Sequence, residues 1–149
     1  MKALIQRVTQ ASVVINGQCH SAIQRGLLLL LGVDRNDTPA VADKLLERVL
    51  DYRIFSDEQD KMNLSLREIQ GDLLIVSQFT LSADTRKGRR PGFSTAASPA
   101  QGEALYEHFI AQAKQRHPSV ETGSFGANMQ VSLTNDGPVT FLLEIHAPE

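Results

Sequence analysis

The chain has 149 residues, 42% of them hydrophobic and 21% charged, with a net charge of −2, no tryptophan and one cysteine, Cys19. That length suits one domain over residues 1–149 with a real core. The charge excludes a polycation, so any nucleic-acid contact must come from a local patch. A single cysteine permits no internal disulfide, which fits a reducing compartment.

Met1-Lys2-Ala3-Leu4-Ile5-Gln6-Arg7 breaks its apolar run at once, unlike a secretory leader. The longest apolar run, Leu27 to Leu31, is too short to span a bilayer. The expectation is a cytoplasmic protein with no membrane partner.

Residues 3 to 15 read as a strand, with a β-branched cluster at Val13-Val14-Ile15, and Asn16-Gly17 is a hairpin signal that returns the chain over 18–24. His20 on this arm reads as a surface residue. Gly26 precedes Leu27-Leu28-Leu29-Leu30-Leu31-Gly32-Val33, a continuous apolar run that suits a strand buried on both faces.

Thr38-Pro39 opens a helix, because Thr caps well and Pro is favoured at the first helical position. Val41, Leu45, Val49 and Tyr52 fall on one face of that helix. A polar loop is expected over 57–63, and Leu73-Leu74-Ile75-Val76 reads as another buried strand running into Ser77-Gln78-Phe79-Thr80-Leu81. Arg86-Lys87-Gly88-Arg89-Arg90-Pro91-Gly92-Phe93 places four cations among glycines and a proline, the composition of an exposed loop.

Ser98-Pro99-Ala100-Gln101 opens a second helix, with a capping box expected between Ser98 and Gln101. Leu105, Phe109 and Ala113 line its buried face, Tyr106 and Ile110 widen it, and His117-Pro118 stops it. His108 and His117 are expected to be exposed. A short strand is expected over 120–122.

Apolar and polar residues alternate on both sides of Asn135-Asp136-Gly137-Pro138-Val139-Thr140. A period of two marks strands, and Asn, Asp, Gly and Pro between them read as a tight hairpin connection. Strand groups around isolated helices favour an α+β fold. The expected architecture is a strongly twisted, barrel-like, mainly antiparallel sheet with two main helices packed outside.

Two stretches carry the chemistry. Ser77-Gln78-Phe79-Thr80 follows a buried strand, so its polar groups emerge at the strand's end, where sites are commonly built. Paired with Asn135-Asp136-Gly137-Pro138-Val139-Thr140, it resembles the double signature of the D-aminoacyl-tRNA deacylases. The similarity extends over essentially the whole chain, through Ala3-Leu4-Ile5-Gln6-Arg7-Val8, Lys61-Met62-Asn63, Gly88-Arg89-Arg90-Pro91 and Phe125-Gly126-Ala127-Asn128-Met129.

The resemblance implies a hydrolase for the ester between a D-amino acid and the terminal adenosine of tRNA. It also implies a homodimer in which a cis Gly-Pro bond enters the partner's site. On this carry-over Gly137 and Pro138 screen chirality, and Ser77, Gln78, Phe79 and Thr80 line the ester pocket. Phe125 and Met129 seat the terminal adenine, and Arg7 supports the Gly-Pro loop. The partner implied is the 3′ end of aminoacylated tRNA, not DNA.

Ester hydrolysis needs a nucleophile, a proton acceptor and oxyanion stabilisation. Thr80 is the obvious nucleophile, but a threonine hydroxyl needs an adjacent base, and histidines 20, 108, 117 and 146 lie outside both motifs. The sequence holds no zinc-binding pattern, so no metal and no cofactor are expected. The resemblance implies another route, in which the substrate's own 2′-hydroxyl assists. Two alternatives stand beside this reading: a non-catalytic RNA-binding module using the 86–90 loop, and a Thr80-dependent hydrolase of small esters.

Overall fold

A single sheet with two buried faces organises the protein. The computed structural model describes residues 1–148. Its strands are β1 (Lys2–Ile15), β2 (Gln18–Ile23), β3 (Gly26–Gly32), β6 (Asp72–Ser77), β7 (Val120–Thr122) and β8 (Gln130–Glu144), in the order β2-β1-β3-β6-β7 with β8 along the other edge of β1. Ser21 on β2 donates its hydroxyl to the Thr122 carbonyl on β7 at 2.9 Å, which draws the two ends of the order together and nearly closes a barrel.

The leucine run of β3 is buried on both faces, as its continuous apolar pattern implies. Leu28 faces the barrel interior with Val8, Val13, Ile23, Leu74 and Val76. Leu27, Leu29 and Leu31 face the helices. Those helices are α1 (Pro39–Asp51), capped by the Thr38 side chain, and α3 (Pro99–Arg116). They lie together on the outer face and bury Val41, Leu45, Val49, Leu105, Phe109 and Ala113 against it.

The expected α+β, barrel-like, mainly antiparallel architecture holds, with local additions and corrections. The sheet is mixed: β3, β6 and β7 are mutually parallel, because the α1 and α3 connections carry the chain back over the outer face before each new strand. Residues 57–63 are bracketed by a small hairpin of β4 (Phe55–Ser56) and β5 (Met62–Leu64). A short helix follows, α2 (Leu66–Ile69), closed by a capping box between Ser65 and Glu68.

The capping box expected at α3 is only half made. Ser98 accepts from the Gln101 N–H, but the Gln101 amide donates to the Arg35 carbonyl at 2.8 Å. His117 is buried, not exposed; its Nε2 lies 2.6 Å from the Gly71 carbonyl, just before β6. His108 is half-buried beside Asp43.

The largest departure concerns β8. No hairpin turns at Asn135–Thr140. The chain continues as one strand, pairing with Gln10–Val14 of β1 before the segment and with Lys2–Gln6 after it. Four residues, 136 to 139, stand opposite Arg7 alone, between the Val8–Asn135 and Gln6–Thr140 pairs. The alternating patterns on either side thus belong to one interrupted strand. A long partner with matching alternation favours a bulge over a reversal.

Candidate active site

Ser77 ends β6 beside Leu31 of β3. The Gln78 N–H donates to the Leu31 carbonyl at 2.8 Å, and the chain then tightens into a 3-10 turn over Phe79–Ser82. Gly32 makes that turn possible: a Cβ there would stand 2.8 Å from the Leu81 Cβ and 3.1 Å from the Ser82 hydroxyl. No side chain caps the turn, so the leading N–H groups at Phe79 and Thr80 are not taken up by a cap. The Gln78 amide donates to the Thr80 hydroxyl.

A cleft of about 290 Å³ opens beside this turn. Ser77, Gln78 and Phe79 form one side, the start of α3 from Ser98 to Tyr106 the other, and Phe125 and Gly126 an end. Gly102 lets the Phe125 ring approach α3, since a Cβ there would lie 3.5 Å from its Cζ. The ring also packs against Tyr106, with centroids 5.7 Å apart. Tyr106 is buried, its hydroxyl donates to the Ile75 carbonyl at 3.1 Å, and burial pushes its pKa well above that of a free phenol.

The helical pattern accounts for Tyr106 only as a buried helix residue and does not single out Gly102. A glycine in a first helical turn, where propensity disfavours it, is the signal that something packs closely there.

The other expected site residues fall into two groups. Met129 does not line the cleft. It lies beneath the Phe125 turn, with its sulfur accepting from the Ser124 N–H at 3.4 Å and its side chain packed into the barrel interior. Thr80 is exposed and lies outside the cleft wall.

Arg7, Gly137 and Pro138 sit elsewhere. Ser77 shares a row of the sheet with Leu31, Ala3 and Leu143, whereas the bulge is centred on Arg7, whose neighbour on β3 is Leu27. The two motifs are therefore separated by three strand steps, each about 4.8 Å, and by an offset along the strands. One chain does not bring them together.

The bulge is firmly built. Arg7 donates from Nε to the Asp136 carbonyl at 2.8 Å and from Nη1 to the Ile54 carbonyl at 3.0 Å. The Asn135 amide clamps the base, accepting from the Val139 N–H at 2.7 Å and donating to the Val139 carbonyl at 3.1 Å. Gly137 and Pro138 are exposed at the tip, and the bond between them is cis. A Cβ on Gly137 would collide with the Val139 backbone nitrogen.

None of the four histidines lines the cleft. His20 is exposed on β2, His108 pairs with Asp43, His117 is buried against Gly71, and His146 lies 3.1 Å from Glu144.

Comparison with known proteins agrees with this architecture. The family described as D-Tyr-tRNA(Tyr) deacylase matches residues 4–144. The chain is 62% identical to a D-aminoacyl-tRNA deacylase of Stutzerimonas stutzeri, over 97% of this chain and 99% of that one. It is 61% identical to one of Haemophilus influenzae, over 97% and 100%. Among solved structures, a c-Myc DNA unwinding element binding protein superposes with a TM-score of 0.95 at 41% identity, covering 99% of this chain and 100% of that one. A probable eukaryotic D-amino acid tRNA deacylase shares the fold with a TM-score of 0.78 at 21% identity, covering 97% and 98%. With a match running through both motifs and nearly every strand, this chain belongs to the D-Tyr-tRNA(Tyr) deacylase family of hydrolases.

Proposed function

We propose that this protein hydrolyses the ester between a D-amino acid and the terminal adenosine of tRNA, and rejects the L-aminoacyl ester. The observation that carries the reading is the near-full-length identity of about three residues in five to D-aminoacyl-tRNA deacylases. The cleft at the end of β6 supports it, because it places the signature Ser77, Gln78 and Phe79 around one open volume.

In this reading the aminoacyl ester lies against Ser77–Thr80, and the adenine sits by Phe125, which Met129 supports from below. The N–H groups of Phe79 and Thr80 stabilise the oxyanion as water adds to the ester carbonyl. When the tetrahedral intermediate collapses, the bond to the ribose oxygen breaks and that oxygen takes a proton. The adjacent 2′-hydroxyl of the substrate guides the water and its proton, since no histidine lines the cleft. Positioning of this kind is worth about 7–11 kcal/mol at best. The neighbour of Thr80 Oγ1 is the Gln78 amide, which is not a base, so Thr80 orients and does not attack.

Chirality is handled by exclusion. The exposed Gly137-Pro138 tip of one protomer enters the cleft of a second copy and stands where an L side chain would lie. Two observations support a two-chain site: the separation of the two motifs within one chain, and the outer edge of β8, which exposes Leu142 and Leu133. A wall of this kind does not exclude glycine, which has no side chain to clash. The protein works on tRNA in the cytoplasm.

Release of D- and L-tyrosine from charged tRNA by the purified protein tests the proposal. Preferential release of the D form is expected, and equal rates would refute it. Loss of activity on a substrate ending in 2′-deoxyadenosine is expected if the ribose hydroxyl assists. Absence of any turnover would favour a nucleic-acid binding role for the 86–90 loop.

A further inference from the structure

The loop after the 3-10 turn is built as a closed hand with free cations at its tip. Asp84 and Gly92 exchange backbone hydrogen bonds of 2.7 and 3.0 Å, which pinch its neck. Arg86 is folded back onto Asp84 through two contacts of 2.9 Å. That is the one ion pair in the loop among the described residues. Lys87, Arg89 and Arg90 point their charge to solvent from the tip.

Phe93 follows the neck directly. It is 43% exposed and packs on Phe79, itself 68% exposed, with ring centroids 5.4 Å apart. Two large aromatic rings left in water beside three unpaired cations cost burial that a core would recover. Phe79 lines the cleft, so the pair joins the cleft to the loop.

We propose that Phe93, backed by Phe79, is a stacking platform for a nucleobase of the single-stranded tRNA end preceding the terminal adenosine, with Arg89 and Arg90 on its phosphates. The proposal rests on the deacylase reading. Its physical basis is the combination that single-stranded nucleic acids select: an exposed π face for a base, with cations spaced along the backbone. Charge complementarity and continuity with the cleft identify the occupant as the strand leading into the site. The chain as a whole, at −2, offers no general attraction for RNA. The role divides the surface: the cleft takes the ester and adenosine, and the platform takes the strand before them.

The test is direct binding of a fluorescein-labelled RNA tetranucleotide ending in C-C-A, with AMP as the shorter probe, read by anisotropy. The wild-type protein should bind the tetranucleotide more tightly than AMP. Phe93→Ala should weaken it by about 5- to 150-fold, the span of one lost base stack, while Phe93→Tyr, which keeps the ring, should bind much as wild type does. Arg89→Ala and Arg90→Ala should each lower the slope of log affinity against log salt by about 0.7.

Equal affinity for the two probes, or a folded Phe93→Ala protein that binds the tetranucleotide as tightly as wild type, overturns the platform. Hydrolysis of D-Tyr-tRNA by the wild-type protein is measured in parallel. Turnover without the Phe93 effect removes the platform alone, and the Phe93 effect without turnover removes the deacylase reading alone.

Discussion

The Arg7 guanidinium holds the carbonyl of Asp136 at 2.8 Å, joining residues 129 positions apart at the root of the Gly137-Pro138 tip. The same side chain reaches the Ile54 carbonyl, and is itself only 13% exposed. Arg7 is thus the brace of the bulge against the rest of the fold.

Arg7→Ala strips two carbonyls of their donor, at a cost of about 1–3 kcal/mol for each left buried and unpaired. Arg7→Lys supplies one ammonium where a forked donor served two acceptors, and should not restore both. Because the brace acts on the tip proposed to screen chirality, the ratio of D to L kcat/KM should fall in both variants by more than kcat for the D substrate does. A folded Arg7→Ala protein with an undiminished D/L ratio would detach this residue from selectivity.

Gly32→Ala places a methyl against Leu81 and Ser82. Overpacking of this sort costs about 1–3 kcal/mol, and relief requires the 3-10 turn to move. The turn carries Phe79 and Thr80, so kcat should fall together with Tm. Thermal denaturation and single-turnover hydrolysis of D-Tyr-tRNA check both; full activity at lowered Tm would show that the turn tolerates displacement.

Thr80→Ala should retain measurable hydrolysis, since the hydroxyl has an amide and no base beside it. Mass spectrometry of the quenched wild-type reaction should show no acylated protein. Trapping an acyl group on Thr80 would reverse the assignment.

Asp84 should titrate at about 2 in place of 3.8, because the side-chain and backbone donors of Arg86 hold its charged form. A carboxyl depressed in the fold lends its stabilisation above the unfolded pKa and loses it as pH falls through the folded one. The pinched loop should therefore keep its form at neutral pH and loosen between about 4 and 2. Carboxyl NMR shifts report this directly, and Arg86→Ala should move the titration back up toward the ordinary carboxylate range. An unchanged value in that variant would exclude Arg86 as the cause.

The elements themselves were legible because each has a local chemical cause. Thr38-Pro39 and Ser98-Pro99 cap their helices through adjacent atoms, and Asn16-Gly17 turns β1 into β2 with both residues at positive φ. The two-sided burial of Leu27–Leu31 follows from an apolar run with no polar alternate. Both signature motifs were visible in the same way, as short runs of residue types.

Where a motif lies relative to another is not a local property. Asn135–Thr140 has the composition of a hairpin turn, yet it is a bulge, because β1 extends far enough to pair with the chain on both sides of it and Arg7 fills the gap. His117 looks like the polar end of a helix and is buried, because α3 ends where Gly71 offers a carbonyl. Tyr106 and Gly102 join the cleft only because α3 lies across the end of β6 and the Phe125 turn packs onto it.

By itself, then, the sequence determined β1, β2, β3, β6 and β7, the two main helices and the chemical character of the two motifs, since periodicity and capping act within a few residues. The tertiary structure alone decided that β8 runs on unbroken and that the Ser77–Thr80 cleft and the Gly137-Pro138 tip lie apart in one chain. Those outcomes depend on pairings between distant strands, β1 with β8 across more than a hundred residues among them, whose register no short stretch encodes.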